Sequence, residues 1–199
     1  MTILPSSDGK CRVECHEQKG ITHTVETDGE ELKISVADSR KWYERIGINL
    51  GATSITIYLP EGAYRNVSVS VTTGNVSLEN LTVSGDINLH TTTGNMTLKN
   101  VKCNSLTTNG TSGDAILKSV IAQGNFNIKH STGDVKFNMC DASEICVETT
   151  TGSVTGTLLS DKIFVPETTT GDVHVPNTKQ GGKCTIKTTT GDIEISIKK

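Results

Sequence analysis

Along most of the chain, apolar residues come in pairs with a single polar or small residue between them. After Gly74 come Val76 and Leu78, then Leu81 and Val83, then Ile87 and Leu89. After Gly113 come Ala115 and Leu117, then Val120 and Ala122, then Phe126 and Ile128. This spacing puts both members of a pair on one face of a β-strand. Polar residues and glycines separate the pairs, so each pair predicts a very short strand followed by a turn.

The pairs belong to a longer repeat. VTTGNV at 71–76, TTTGNM at 91–96, TSGDAI at 111–116 and STGDVK at 131–136 are followed by TTTGSV at 149–154, TTTGDV at 168–173 and TTTGDI at 188–193. The marking glycines Gly74, Gly94, Gly113, Gly133, Gly152, Gly171 and Gly191 are spaced by 20, 19, 20, 19, 19 and 20 residues. A fixed period of this length is the signature of a stacked repeat. Three short strands per period predict an all-β fold, a single-stranded parallel β-solenoid (β-helix) of 19–20-residue coils with apolar side chains inside, and a right-handed winding is expected. An antiparallel sandwich would need larger core residues and more variable loops.

Residues 1–65 are read as an irregular β-rich cap with the first coils, and 66–199 as the regular TTG[DN] solenoid, together one continuous domain. Strands are expected at 11–15, 22–26, 31–36 and 54–59. The segment 37–53 is the least regular; its Trp42 and Tyr43 are candidates for a capping or interaction surface. At the far end, Ile193, Ile195 and Ile197 would add one last strand, blunted by Lys198 and Lys199.

The marker glycines are read as structural turn residues, placed where positive φ or lack of room excludes a side chain. The Asp or Asn that follows, such as Asn75, Asn95, Asp114, Asp134, Asp172 or Asp192, is expected to bond amides of its own turn. Threonines at Thr91/Thr93, Thr149/Thr151, Thr168/Thr170 and Thr188/Thr190 resemble the flat threonine arrays of ice-binding solenoids, although Asn109/Thr111 and His130/Thr132 interrupt them. Five N-x-[ST] matches, at Asn66, Asn75, Asn80, Asn95 and Asn109, read as solvated turns of a threonine-rich repeat.

Composition narrows the rest. Only 34% of residues are hydrophobic and 4% aromatic, too few for an ordinary compact globule but enough for a thin solenoid core. A net charge of −3 argues against a nucleic-acid partner. No apolar run approaches the ~18 residues that cross a bilayer, so no membrane contact is expected from this segment. The start, Met1–Pro5, lacks the basic and long apolar runs of a secretion signal. Cys11 and Cys15 would lie about 13 Å apart on an extended strand, too far for a bridge. The six cysteines are read as unpaired thiols, with Cys103, Cys140 and Cys184 facing inward.

Chemistry-bearing clusters are sparse, and no catalytic residue, cofactor site or metal site is assigned. One acid per coil falls short of the roughly six oxygens that calcium takes. Cys15 and His16 point oppositely on a strand, which speaks against zinc at Cys11, Cys15, His16 and His23. A polysaccharide-active β-helix would want convergent acids and aromatic platforms, yet no Trp or Tyr follows Tyr64.

The S/T-T-G-D/N-V phrase, SITIYLPEGAYRNVSVSVTTGNVSLENL at 54–81 and LPSSDGKCRVECHE at 4–17 resemble a bacterial family of DUF4097-type domains that carries a predicted adhesin label. The resemblance covers nearly the whole chain. It implies a β-solenoid, often in proteins with a membrane segment outside the domain, and it supplies no active-site residues. The cysteines depart from the family pattern and point toward a reducing compartment or an anaerobic source. The expected role is a non-enzymatic cell-envelope interaction module, adhesive toward a protein or surface glycan. The alternative is an intracellular or membrane-linked scaffold or sensor domain that binds a protein partner, and a polysaccharide-active enzyme comes third. The location is the envelope or cell surface if a signal or anchor accompanies the domain, and otherwise the cytoplasm. End-to-end self-association through the solenoid ends is also expected.

Overall fold

A computed structural model describes residues 1–17, 20–28, 31–38, 54–60, 62 and 64–198. The chain forms two compact units, Met1–Pro60 and Glu61–Lys199. Trp42 and Tyr43, with most of the segment read as a cap, lie outside the described residues.

In the first unit, β1 (Thr2–Pro5) pairs in parallel with β5 (Ser54–Leu59), and β2 (Arg12–His16) pairs with β5 antiparallel. Strands β3 (Ile21–Asp28) and β4 (Glu31–Asp38) make an antiparallel hairpin. The four expected strands are present, while β1 went unforeseen because TILP is too short to show a period.

The second unit is a parallel β-solenoid. One sheet stacks β6 (Val67–Thr73), β8 (Asp86–Thr93), β10 (Ser105–Ser112), β12 (Asn125–Thr132) and β14 (Glu144–Thr151). The other stacks β7 (Val76–Thr82), β9 (Met96–Cys103), β11 (Ala115–Ala122), β13 (Val135–Cys140) and β15 (Val154–Leu158). Each coil thus contributes one strand to each sheet. The first and second apolar pairs of a coil share one strand path, joined through a left-handed residue: Asn80 (φ 55°), Asn100 (53°), Ser119 (53°) or Met139 (55°). That residue resets the alternation, which is why Leu78 and Leu81, three positions apart, both face inward. Between the sheets, Ile87, Leu106, Phe126 and Ile145 form one buried column, and Leu78, Leu98, Leu117 and Phe137 form another. The rings of Phe126 and Phe137 stack across the core, with centroids 6.3 Å apart.

The last two coils are not stacked in chain order. After β15 the chain forms β16 (Lys162–Thr170) and β17 (Val173–His174), and then β18 (Gly182–Thr190) and β19 (Ile193–Ile197). Strand β18 lies directly on β14 with β16 beyond it, and β19 lies on β15 with β17 beyond it. The carboxy-terminal coil is therefore inserted between its two predecessors, and residues 162–174 end the stack. This corrects the expectation that Ile193–Ile197 forms the exposed final strand. Ile193 and Ile195 are buried, and Lys198 donates its amide to the Leu158 carbonyl instead of blunting an edge.

Four features of the sequence favour the inversion. Pro166 would cost an interior strand a ladder bond, whereas an edge strand has one side with no ladder to lose. The inserted coil enters through Gly181 and Gly182. A Cβ on Gly181 would meet the Asp161 carbonyl oxygen at 1.8 Å, and one on Gly182 the Ser143 carbonyl oxygen at 1.6 Å. Lys162, only 3% exposed, reaches past the inserted coil to Asp141 at 2.6 Å and to Ser160 at 2.6 Å. Finally, on the outer face Lys129, Glu148, Lys187 and Glu167 alternate in sign from strand to strand. Stacking in chain order, with the threonine motifs aligned, would set Glu148 beside Glu167.

Candidate functional site

The most regular surface lies at the corner after each TTT segment. Six marker glycines other than Gly74 combine positive φ with a close approach. A Cβ on Gly133, for example, would sit 2.0 Å from the Gly113 carbonyl oxygen, at φ +138°. Gly74 has φ +128° but no close approach, the nearest atom to a Cβ being Val71 Cγ1 at 3.9 Å. The bonds of the acid or amide that follows correct the expectation that it bonds amides of its own turn. Its side chain accepts the amide of the equivalent residue one coil further along. Asn75 Oδ1 takes Asn95 N at 2.9 Å, Asn95 takes Asp114, Asp114 takes Asp134 and Asp134 takes Ser153. The ladder then runs through the inverted coils, from Ser153 Oγ to Asp192 N at 3.1 Å and from Asp192 Oδ1 to Asp172 N at 2.9 Å. Coil-to-coil bonding wins because the next coil's amide lies directly above, at strand spacing. The carboxylate of Asp134 is held below its ordinary range, chiefly by the Ser153 amide and by Lys136, which also lies 3.5 Å from Asp114.

The threonines divide between core and surface. The first of each trio turns inward: Thr91, Thr149 and Thr188 are buried, so they do not share an outer face with Thr93, Thr151 and Thr190. The hydroxyls of Thr149, Thr168 and Thr188 donate to a turn carbonyl of the neighbouring coil, to Gly133 at 3.4 Å, Gly191 at 3.0 Å and Gly152 at 3.0 Å, whereas that of Thr91 has no partner among the described residues. What remains outside is a corner of paired hydroxyl rows, including Thr92–Thr93, Thr111–Ser112, Ser131–Thr132, Thr150–Thr151 and Thr189–Thr190.

In that inward row His130 takes the place of a threonine. Its Nδ1 donates to the Gly113 carbonyl at 3.1 Å, which leaves Nε2 without a partner among the described residues. The ring fits because its neighbour in register is Gly110, where a Cβ would lie 2.5 Å from the imidazole. Burial holds the His130 pKa below its ordinary value, partly opposed by the Gly113 carbonyl and Asp114. The sequence showed a histidine interrupting the threonine row but gave no sign that it compensates for the glycine one coil earlier.

The outer face of the sheet that runs from β6 to β16 carries the charge ladder, with Lys129–Glu148 at 3.1 Å and Lys187–Glu167 at 2.7 Å. Beside it lies a shallow depression of about 330 Å³ with Asn127, Glu144, Cys146, Lys183 and Thr185 at its surface. A second depression, about 580 Å³, is lined by Thr155, Thr157, His174, Glu194 and Ser196. Among the described residues no three histidine, cysteine or acidic side chains come together as metal ligands. The Cys/His group of the first unit is dispersed into local contacts: His23 bonds Glu17 at 3.2 Å and His16 meets Ser54 at 3.3 Å.

All six cysteines are free. Cys103, Cys140 and Cys184 are buried, as their inward positions in the repeat predicted. Burial pushes Cys103 up to about 11 and Cys184 to about 12. The turn glycines and the ladder are thus placed on the solenoid corner, while Trp42 and Tyr43 fall outside the described residues. No curated protein and no solved structure matches the chain. A family model does, over residues 1–199, and the protein belongs to the Toastrack DUF4097 family.

Proposed function

We propose that this protein is a non-enzymatic interaction module of the cell envelope that adheres to a protein or a surface glycan. The observation that supports this most is the division of labour in the solenoid. Repeated glycines, ladder residues and inward threonines are occupied with coil stacking. The outer rows, by contrast, offer long arrays of hydroxyls, amides and paired charges. Such arrays suit many weak polar contacts over an extended partner. Binding of that kind gains from repetition more than from a deep pocket.

A second reading, a scaffold or sensor domain inside the cell, draws on the free thiols, since disulfides form and persist mainly in oxidising compartments. It is favoured by Cys11, which is exposed and free. The buried thiols carry less weight, because their raised pKa values keep them inert in either compartment.

Protease shaving of intact source cells that carry the full-length gene product separates the two. Release of peptides from residues 66–199 supports the envelope module and directs screening toward glycans and wall or host proteins. Protection in intact cells that is lost on lysis places the domain inside and overturns the adhesive reading.

A further inference from the structure

The inverted coil is held on both sides by its own chain. Removing residues 182–197 would open a slot with β14 and β15 on one wall and β16 and β17 on the other. The occupant of that slot must satisfy three matches at once. It needs a cation between Glu148 and Glu167, a place filled by Lys187. It needs an amide for Ser153 Oγ and a carboxylate for the Asp172 amide, both supplied by Asp192. It also needs a carbonyl for Gly152 N and an amide for Thr170 O, supplied by Thr190 and Gly191 at 2.9 Å each. The same coil from a second copy of this chain meets all three without any change of sequence.

The connection that carries the coil suits an exchange. Residues 175–181, VPNTKQG, contain Pro176 and Gly181. Their backbone bonding is local, with Thr178 N on the Pro176 carbonyl at 3.0 Å, and Thr178 Oγ1 donates to the Lys162 carbonyl. The buried Lys162–Asp141 pair spans the inserted coil and closes the slot over it. From this we infer that residues 182–197 are an exchangeable coil, donated reciprocally between two copies of the chain, with the Lys162 strap controlling its release. Exchange of an identical element is a low-cost route to a dimer, because every contact of the closed monomer is reused. The partner differs from that of end-to-end stacking, where the terminal strand β16 and its proline would form the contact.

The test uses Thr155 and Glu194, which face each other in register between β15 and β19. One full-length chain carries Thr155→Cys and another Glu194→Cys, both in a background with Cys11, Cys15 and Cys146 changed to Ser. The two are mixed at high concentration, incubated and oxidised, and the covalent species are mapped by mass spectrometry. A dimer joined between positions 155 and 194 is expected, and adding Lys162→Met should speed its appearance at least about tenfold. A single chain carrying both substitutions should form the bond internally, showing that the pair can be bridged. Only monomers at millimolar concentration, dimers without the 155–194 link, or no effect of Lys162→Met would each overturn the exchange. Failure of the internal bond would contradict the coil order on which the exchange rests.

Discussion

At the scale of single residues, two different constraints meet at the marker glycines and separate by substitution. Gly74 is held by backbone conformation alone, so Gly74→Ala should cost about 1–2 kcal/mol. Gly133 has the same sign of φ and a carbonyl oxygen where its Cβ would go. Gly133→Ala should therefore cost more than about 3 kcal/mol, read from urea unfolding midpoints. The His130–Gly110 pair makes a second residue-scale test. His130→Thr removes the ring beside Gly110, and Gly110→Thr drives a side chain into it; each alone should destabilise by about 1–3 kcal/mol. Together they restore the threonine row, so the double variant should cost clearly less than the sum. The pH dependence follows from the same ring. Its folded pKa lies below the unfolded value of about 6.5, so the unfolded chain takes up the proton first. The His130 component of stability should be flat above neutrality and fall as pH drops below about 6.5, by at most about 1.4 kcal/mol per pH unit. In His130→Thr that component should vanish from the difference between unfolding midpoints at high and low pH.

At the scale of elements, the period and the apolar pairs were enough to place nearly every strand of the solenoid, because each pair maps directly onto an inward face. The left-handed joint at Asn80, Asn100, Ser119 and Met139 was less visible. It shows in the sequence only as a spacing of three between Leu78 and Leu81, and the residue at the joint changes from coil to coil. The Asx ladder was misread because a sequence displays neighbours along the chain, whereas the bonded partner lies 19 or 20 residues away. The charge ladder gives an element-scale prediction. Lys187→Glu would set three carboxylates in a row at 148, 187 and 167 on adjacent strands. The unfolding midpoint should fall at low salt and recover toward the parent near 1 M salt, where the screening length is about 3 Å. A salt-independent loss would mean that the row does not order these strands by charge.

At the scale of the whole molecule, coil order was the feature hidden from a reading of the repeat. Seven similar phrases at a steady spacing imply seven coils stacked as they are spoken, and nothing in the period distinguishes that order from the inverted one. The distinguishing marks are local departures: Pro166 within a strand, the Gly181–Gly182 pair, and a lysine at 162 whose inward register leaves it 3% exposed. Each is explicable as an accident when taken alone. Together they make residues 162–174 an end and residues 182–197 an insert. Little of the candidate site could be read beforehand, because the outer rows are defined by what the stacking leaves free. The first threonine of each trio belongs to the core although the repeat presents all three alike.

The most direct test of this account compares two engineered pairs in a chain with Cys11, Cys15 and Cys146 changed to Ser. Position 148 neighbours position 187 in the inverted order, and would neighbour position 167 if the coils followed the chain. Strand neighbours in register lie within disulfide reach, while positions two strands apart, at roughly 10 Å, do not. Glu148→Cys with Lys187→Cys should oxidise readily to an internally bridged monomer, and Glu148→Cys with Glu167→Cys should remain reduced. The opposite pattern would show that the solenoid stacks in chain order and that the inserted coil does not exist.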